Sequence, residues 1–234
     1  MSAPIINVII PAQDEEAAIG KVIAAIPDRV HRIIVVDNGS RDDTAARART
    51  AGADVISEPI AGYGRACLAG IKAAHPCDII VFLDGDASDY PEDMSELVAP
   101  IIKGEADMVI GSRLRGEVEQ GALTLPQRFG NALACWLMKV IWRGEFTDLG
   151  PFRAITTHAL DQLSMQAPTF GWTVEMQVQA LKYGLKCAEV PVRYRQRIGR
   201  SKISGTVRGV IMAGVYIIGT IFYEALFNRV KKSD

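Results

Sequence analysis

The sequence is poor in the residues that staple small folds or bind soft metals. Its 234 residues hold four cysteines, Cys67, Cys77, Cys135 and Cys187, and no two are spaced Cys-x-x-Cys. This spacing supports neither a zinc site nor a disulfide framework, and a reducing compartment is the simpler reading. The three histidines, His31, His75 and His158, fall in no metal-ligand pattern. The net charge is −1, so nothing draws the chain as a whole to nucleic acid, and none is expected as a partner. No secretory leader is read at the start. Residues 5–10 are apolar but lack a basic lead and run into Pro11, Asp14, Glu15 and Glu16. No repeat or low-complexity segment is present. The first strand pattern is not followed by Gly-x-Gly-x-x-Gly, and Gly-x-x-x-x-Gly-Lys-Ser/Thr is absent. These absences count against a dinucleotide dehydrogenase and a P-loop nucleotidase.

What is present is an apolar run, residues 79–83, that stops in Asp84-Gly85-Asp86. Such a run reads as a buried strand. The two carboxylates stand one residue apart on the same side, with Gly85 allowing close backbone approach. Two hard oxygen ligands suit Mg²⁺ or Mn²⁺ with a shell completed by phosphate and water. A solvated turn after a strand would carry the same tripeptide.

The rest of the first half alternates strands and helices. Strands are expected over 5–10 (stopped by Pro11), 33–36 and 53–56. A helix N-capped by Asp14 carries Ala18, Ile19, Val22, Ile23 and Ile26 at helical spacing, and another covers 65–74. Short loops between them predict a doubly wound α/β unit with parallel strands. Its strand ends gather 11–15, 37–40 and 84–86 into a crevice, where open α/β sheets bind ligands. In the second half, a helix is expected over 91–103, a strand over 107–111 and a flexible loop over 117–125. An apolar helix over 127–142 follows, with Arg128 near its start and Trp136 and Trp142 as packing or interface residues. The last elements are a helix from 172 to about 184 and a strand over 187–192. Arg193, Arg195, Arg197, Arg200 and Lys202 then follow with no acid among them.

These stretches carry a resemblance. Pro11-Ala12-Gln13-Asp14-Glu15, Val35-Val36-Asp37-Asn38-Gly39-Ser40, Gly62-Tyr63-Gly64, Asp84-Gly85-Asp86, Gly111-Ser112-Arg113, and Thr147-Asp148 with Gly150 to Ala154 resemble, in order and spacing, the motifs of family-2 glycosyltransferases. Arg197-Ile198-Gly199-Arg200-Ser201-Lys202 resembles a motif of the polyprenyl-phosphate sugar transferases, the subgroup of dolichol-phosphate mannosyltransferase. The family usually has Tyr and Asn where Gln13 and Asp14 stand.

The resemblance implies a GT-A fold: an α/β, Rossmann-like, mostly parallel sheet with helices on both faces. One domain is expected over 1–204, with a nucleotide-sugar half (1–112) and an acceptor half (113–204). A C-terminal apolar helix and basic tail follow over 205–234. The donor side is implied to comprise Pro11, Ala12, Gln13, Glu15, Val35, Asp37, Asp84, Gly85, Asp86, Arg113, Arg197 and Lys202. Asp84 and Asp86 hold Mg²⁺ or Mn²⁺. Asp148, Asp86 and Arg113 serve the chemistry, and Arg128, Asp148, Arg200 and Lys202 face the acceptor. The implied reaction is inverting transfer from a UDP- or GDP-sugar to a polyprenyl phosphate, with a soluble or other lipid acceptor as the alternative and a non-catalytic nucleotide-sugar binding module as the less favoured one. Residues 209–223 carry no charge, about 22 Å of helix at roughly 1.5 Å per residue, which falls short of a membrane span. This tail is expected to lie on the membrane surface, to pair two copies of the chain or to join the core. The protein is expected to be cytoplasmic, peripheral at the cytoplasmic face of the membrane.

Overall fold

Strand residues alternate between two buried faces, and helices cover both. The computed structural model describes residues 3–199 and 207–226. Its strands are β1 (Ile6–Ala12), β2 (Arg32–Asp37), β3 (Asp54–Ser57), β4 (Ile79–Phe82), β5 (Met108–Ser112), β6 (Arg153–Thr156) and β7 (Cys187–Pro191). They form one sheet in the order β3-β2-β1-β4-β6-β5-β7. Val8, Ile10, Val35, Val81 and Val109 face one way. They pack on α1 (Ile19–Ala24), α2 (Thr44–Thr50) and α4 (Met94–Ile102). Ile9, Ile34, Val36, Ile80, Phe82, Met108 and Ile110 face the other way. Against them lie α3 (Tyr63–Ala74), α5 (Leu125–Trp142), α6 (Thr157–Gln162), α7 (Trp172–Lys182) and α8 (Val207–Leu226). This two-residue period is why the strands are rich in Val and Ile throughout.

The sheet is parallel except at β6, which runs antiparallel to both β4 and β5. The sequence does not announce β6, because a four-residue strand that opens on an arginine lacks an apolar run. Its direction matters. Arg153 pairs with Phe82, the last residue of β4, and with Ile110 in the middle of β5, and the Gly111 amide bonds the preceding Phe152 carbonyl at 2.9 Å. The segment before β6, which carries Asp148, therefore enters the same sheet edge as the residues that follow β4 and β5.

Other expectations shift. Pro11 does not end β1, which continues to Ala12. Asp14 is not a helix cap: it has a positive φ of 50°, and α1 begins only at Ile19. The acids of this loop bond the loop after β2 instead. Asp14 Oδ1 accepts from the Arg41 amide at 2.7 Å, and Glu16 Oε2 from the Asp43 amide at 3.1 Å. The 117–125 loop is anchored, since Tyr194 exchanges backbone bonds of 2.8 Å with Glu117 and Glu119.

The tail is not a separate apolar helix. α8 packs on α5 and α7, buries Ile221 completely, and sets Glu224 against Lys182 at 2.6 Å and Gln179 at 2.9 Å. A buried acid with polar partners belongs to a packed interior. Among the described residues, no helix is long and apolar enough to cross a membrane.

Candidate active site

Two cavities open at the carboxyl ends of β1, β2 and β4. The smaller, about 350 Å³, is lined by Pro11, Ala12, Gln13 and Glu15 after β1, by Asn38 after β2, by residues 61–63, by Asp84, Gly85 and Asp86 after β4, and by Thr169 and Phe170. The larger, about 490 Å³, lies between the first turns of α5 (Pro126, Gln127, Gly130), Gly214 and Ile217 of α8, Arg113 and Tyr194. Tyr63, Asp84, Phe170 and Arg197 line both. A molecule in one cavity therefore meets a molecule in the other at these four side chains.

The acidic turn sits at that junction. Asp84 Oδ1 accepts from the Tyr63 hydroxyl at 3.0 Å. Burial raises the Asp84 carboxyl, against the pull of Arg197, Tyr63 and Arg113. Asp86 Oδ1 accepts from the amide and hydroxyl of Ser88 at 2.8 and 2.6 Å, and its other oxygen is ion-paired with Arg197. Among the described residues, no cluster of three or more His, Cys, Asp or Glu forms a complete metal cage. Two carboxylates on one cavity wall instead suit Mg²⁺ or Mn²⁺, whose remaining positions go to phosphate and water. That donor set fits the metal implied by the sequence.

Residues 192–199 form a strap across this turn. Its amides at Arg195 and Ile198 donate to the carbonyls of Ser88 and Asp86, both at 2.9 Å. The cations of the strap divide by role. Arg193 pairs with Asp93 and stacks on Tyr90. Arg195 stacks on the same ring and donates to the Ala87 carbonyl at 2.7 Å. Neither lines these two cavities; Arg197 lines both. Arg200 and Lys202 lie outside the described residues.

Arg113 and Asp148 form one unit. The Arg113 guanidinium holds the Asp148 carboxylate through Nε at 2.8 Å and Nη2 at 2.6 Å, and its backbone amide adds a third bond of 2.8 Å. Burial opposes the Arg113 charge, but Asp148 outweighs it and holds the guanidinium protonated. Asp148 is only 1% exposed, and Arg113 rather than Asp148 lines the larger cavity. The carboxylate expected beside an acceptor thus lies behind an arginine. Arg153, fully buried, donates to the carbonyls of Leu149 at 3.1 Å and Thr173 at 2.8 Å, tying the loop after Asp148 to α7. Burial lowers the pKa of this guanidinium to about 10.

Besides Asp148, three candidates stand away from the walls of both cavities. Val35 is fully buried in the sheet. Asp37 caps its own turn, accepting from the Ser40 amide at 3.1 Å. Arg128 is exposed on α5. Sequence reasoning missed Asn38, whose amide bonds Glu58 and Ile60 carbonyls at 2.9 Å and steadies the 58–62 loop. It also missed Phe170 and Tyr194. Only the adjacency of Asn38 to Asp37 offered a signal.

The matches to known proteins agree with this geometry. The model of "Glycosyl transferase family 2" matches residues 7–164. An uncharacterized glycosyltransferase of Mycobacterium bovis is 37% identical over 216 residues, covering 91% of this chain and 96% of its own. A dolichyl-phosphate hexose transferase of Haloferax volcanii is 32% identical over 229 residues, covering 94% and 95%. The crystal structure of glucosyl-3-phosphoglycerate synthase from Mycobacterium tuberculosis, in complex with Mn²⁺, UDP and glucosyl-3-phosphoglycerate, superposes with a TM-score of 0.76 at 25% identity, covering 98% of this chain and 82% of that one. With the motifs at the strand ends and the paired cavities they build, the chain belongs to glycosyl transferase family 2 and is a glycosyltransferase.

Proposed function

We propose that the protein moves a sugar, with inversion, from a nucleotide-sugar donor in the smaller cavity to a polyprenyl phosphate in the larger one. The observation that carries this reading is the shared wall of Tyr63, Asp84, Phe170 and Arg197, which lets donor and acceptor meet. The UDP and Mn²⁺ in the mycobacterial synthase complex support a nucleotide donor and a divalent ion.

When bound by Asp84 and Asp86, Mg²⁺ or Mn²⁺ supplies positive charge beside the donor diphosphate. Pro11, Ala12, Gln13 and Glu15 bind the nucleotide part. Arg197, now paired with Asp86, turns to the diphosphate and adds fixed charge there. Arg113 faces the acceptor with a charge that Asp148 keeps in place, so it holds negative charge without reorganising. A phosphate acceptor is already ionised and needs no general base, which matches an Asp148 buried behind Arg113. In this reading Asp148 is a positioning residue for Arg113.

Support for a lipid acceptor comes from the outward faces of the two helices, α5 and α8, whose other residues line the larger cavity. Leu125, Phe129, Trp136 and Val140 recur every four or seven residues on the outward face of α5 and are 58–82% exposed. The charges on that helix, Arg128 and Lys139, are both basic. The adjoining α8 also turns Val215, Tyr216, Phe222 and Tyr223 outward. Apolar, aromatic and basic residues together suit an anionic bilayer surface, which makes the protein peripheral to the membrane. The named activity of the Haloferax volcanii relative points the same way.

A soluble phosphorylated acceptor is the second reading, favoured by the likeness to the phosphoglycerate-using synthase. The test is incubation with radiolabelled UDP- and GDP-sugars, Mg²⁺ or Mn²⁺, and either polyprenyl phosphate or 3-phosphoglycerate. Label entering the organic phase supports the lipid acceptor. Label entering only the soluble ester overturns it in favour of the second reading.

A further inference from the structure

The segment that carries Asp148 has no regular structure between Arg143 and the start of β6. The Gly111 amide of β5 reaches its end, at the Phe152 carbonyl, 2.9 Å, but from Thr147 to Leu149 side chains bond its peptide groups. Asn131 of α5 donates to the Thr147 carbonyl at 2.9 Å and accepts from the Leu149 amide at 2.7 Å. Gln177 of α7 donates to the Asp148 carbonyl at 3.0 Å. Glu189 of β7 does the remaining part. Its Oε1 accepts from the Thr147 amide at 2.8 Å and the Asp148 amide at 3.2 Å, and its Oε2 from the Thr147 hydroxyl at 2.7 Å. This carboxylate is 4% exposed, with Arg115 at 3.8 Å.

From this we infer that Glu189 is a positioning residue for sugar transfer: by holding the Thr147 and Asp148 amides, it fixes the Asp148 carboxylate that in turn aims Arg113 into the acceptor cavity. The inference rests on the reading of Asp148 and Arg113 given above. The chemistry favours a carboxylate here. Three donors converge on one side chain, and only an acceptor-only group meets all three. Glu189 lines neither of the two cavities, so it acts through the pair and not on a substrate. Without it, two amides lose their partners, and the segment relaxes toward other acceptors. A displacement of about 1 Å at a reacting centre can cost on the order of 100-fold in rate. Glutamine keeps one carbonyl oxygen for the two amides and lets the Thr147 hydroxyl turn to Ser112 Oγ, already 2.7 Å away.

The test compares Glu189→Ala, Glu189→Gln, Asp148→Asn and the double variant Glu189→Ala/Asp148→Asn. Steady-state turnover, calorimetric donor binding and thermal melting are measured on the full chain. Expected is a fall in kcat of about 10- to 100-fold for Glu189→Ala, with donor affinity held within about 3-fold. Glu189→Gln should recover most of the rate. The double variant should be no slower than Asp148→Asn alone, since the two residues act in one chain of contacts. If Glu189→Ala does not fold, Thr147→Val removes one of the three bonds and should give a smaller loss of the same kind. Slow Asp148→Asn beside normal Glu189→Ala overturns the Glu189 inference alone. Normal turnover of Asp148→Asn overturns the reading of the pair and the inference with it. A purely structural role would lower melting temperature, donor binding and turnover together, with no rescue by glutamine, and that result also overturns it.

Discussion

At Asp89 the chain buries a carboxylate, 1% exposed, that accepts no hydrogen bond among the described residues. Burial is the main cause that pushes its pKa up to about 8, and the nearby Asp84 adds to it, while Arg113 pulls back. An unfolded aspartate titrates near 3.9, so between about pH 4 and 8 the native protein holds a proton that the unfolded chain has released. The contribution of Asp89 to stability therefore falls as pH rises through that window. Asp89→Asn removes the titration. Thermal melts at pH 5 and pH 8 should show a smaller loss for the variant than for the parent. Parallel losses in both proteins would place the pH response elsewhere. The same scale explains Arg153, a buried cation with no hydrogen-bonded carboxylate among the described residues, whose fork ties the loop after Asp148 to the first turn of α7.

Among the elements, α3 depends on a close approach at its first turn. A β-carbon on Gly64 would lie 1.9 Å from the Ala167 carbonyl oxygen, and the Arg65 amide bonds the Pro168 carbonyl at 3.1 Å. Glu175 of α7 holds the other side of that loop through the amides of Gln166 and Ala167 at 3.0 and 2.8 Å. The loop continues into Thr169 and Phe170, which line the smaller cavity, the proposed donor site. Gly64→Ala has to push backbone against backbone, which a packed interior resists. Donor affinity should drop at least about 10-fold, equal to about 1.4 kcal/mol, in a calorimetric titration with UDP. An unchanged affinity would show that the loop moves away without disturbing the cavity.

For the whole molecule, the proposed membrane contact rests on the outward faces of α5 and α8. Since α8 is part of the second core, removing it would damage the fold, and surface substitutions are the cleaner probe. Leu125→Ser, Phe129→Ser and Trp136→Ser together leave the buried face of α5 intact. Each basic residue near an anionic surface adds attraction of about 1 kcal/mol, screened by salt. Apolar burial adds roughly 25 cal/mol per Å², which salt does not remove. The parent should float with anionic liposomes at low salt and in part at high salt, and the triple variant should lose the salt-resistant part. A parent that does not float at either salt would make this face a contact between proteins.

By itself the sequence determined the α/β alternation, the gathering of 11–15, 37–40 and 84–86 at one sheet edge, and the family. These follow from local signals: apolar runs, Pro and Gly punctuation, and carboxylates where strands stop. Tertiary structure decided the rest. β6 runs antiparallel between β4 and β5, a pairing that no local pattern marks in so short a strand. Asp148 meets Arg113 across 35 residues, a distance at which sequence spacing carries no geometry. Arg193 and Arg195 turn to Asp93, Tyr90 and Ala87 while Arg197 reaches the cavities. A run of like charges cannot reveal that division, because each cation's role is set by the surface against which it is packed.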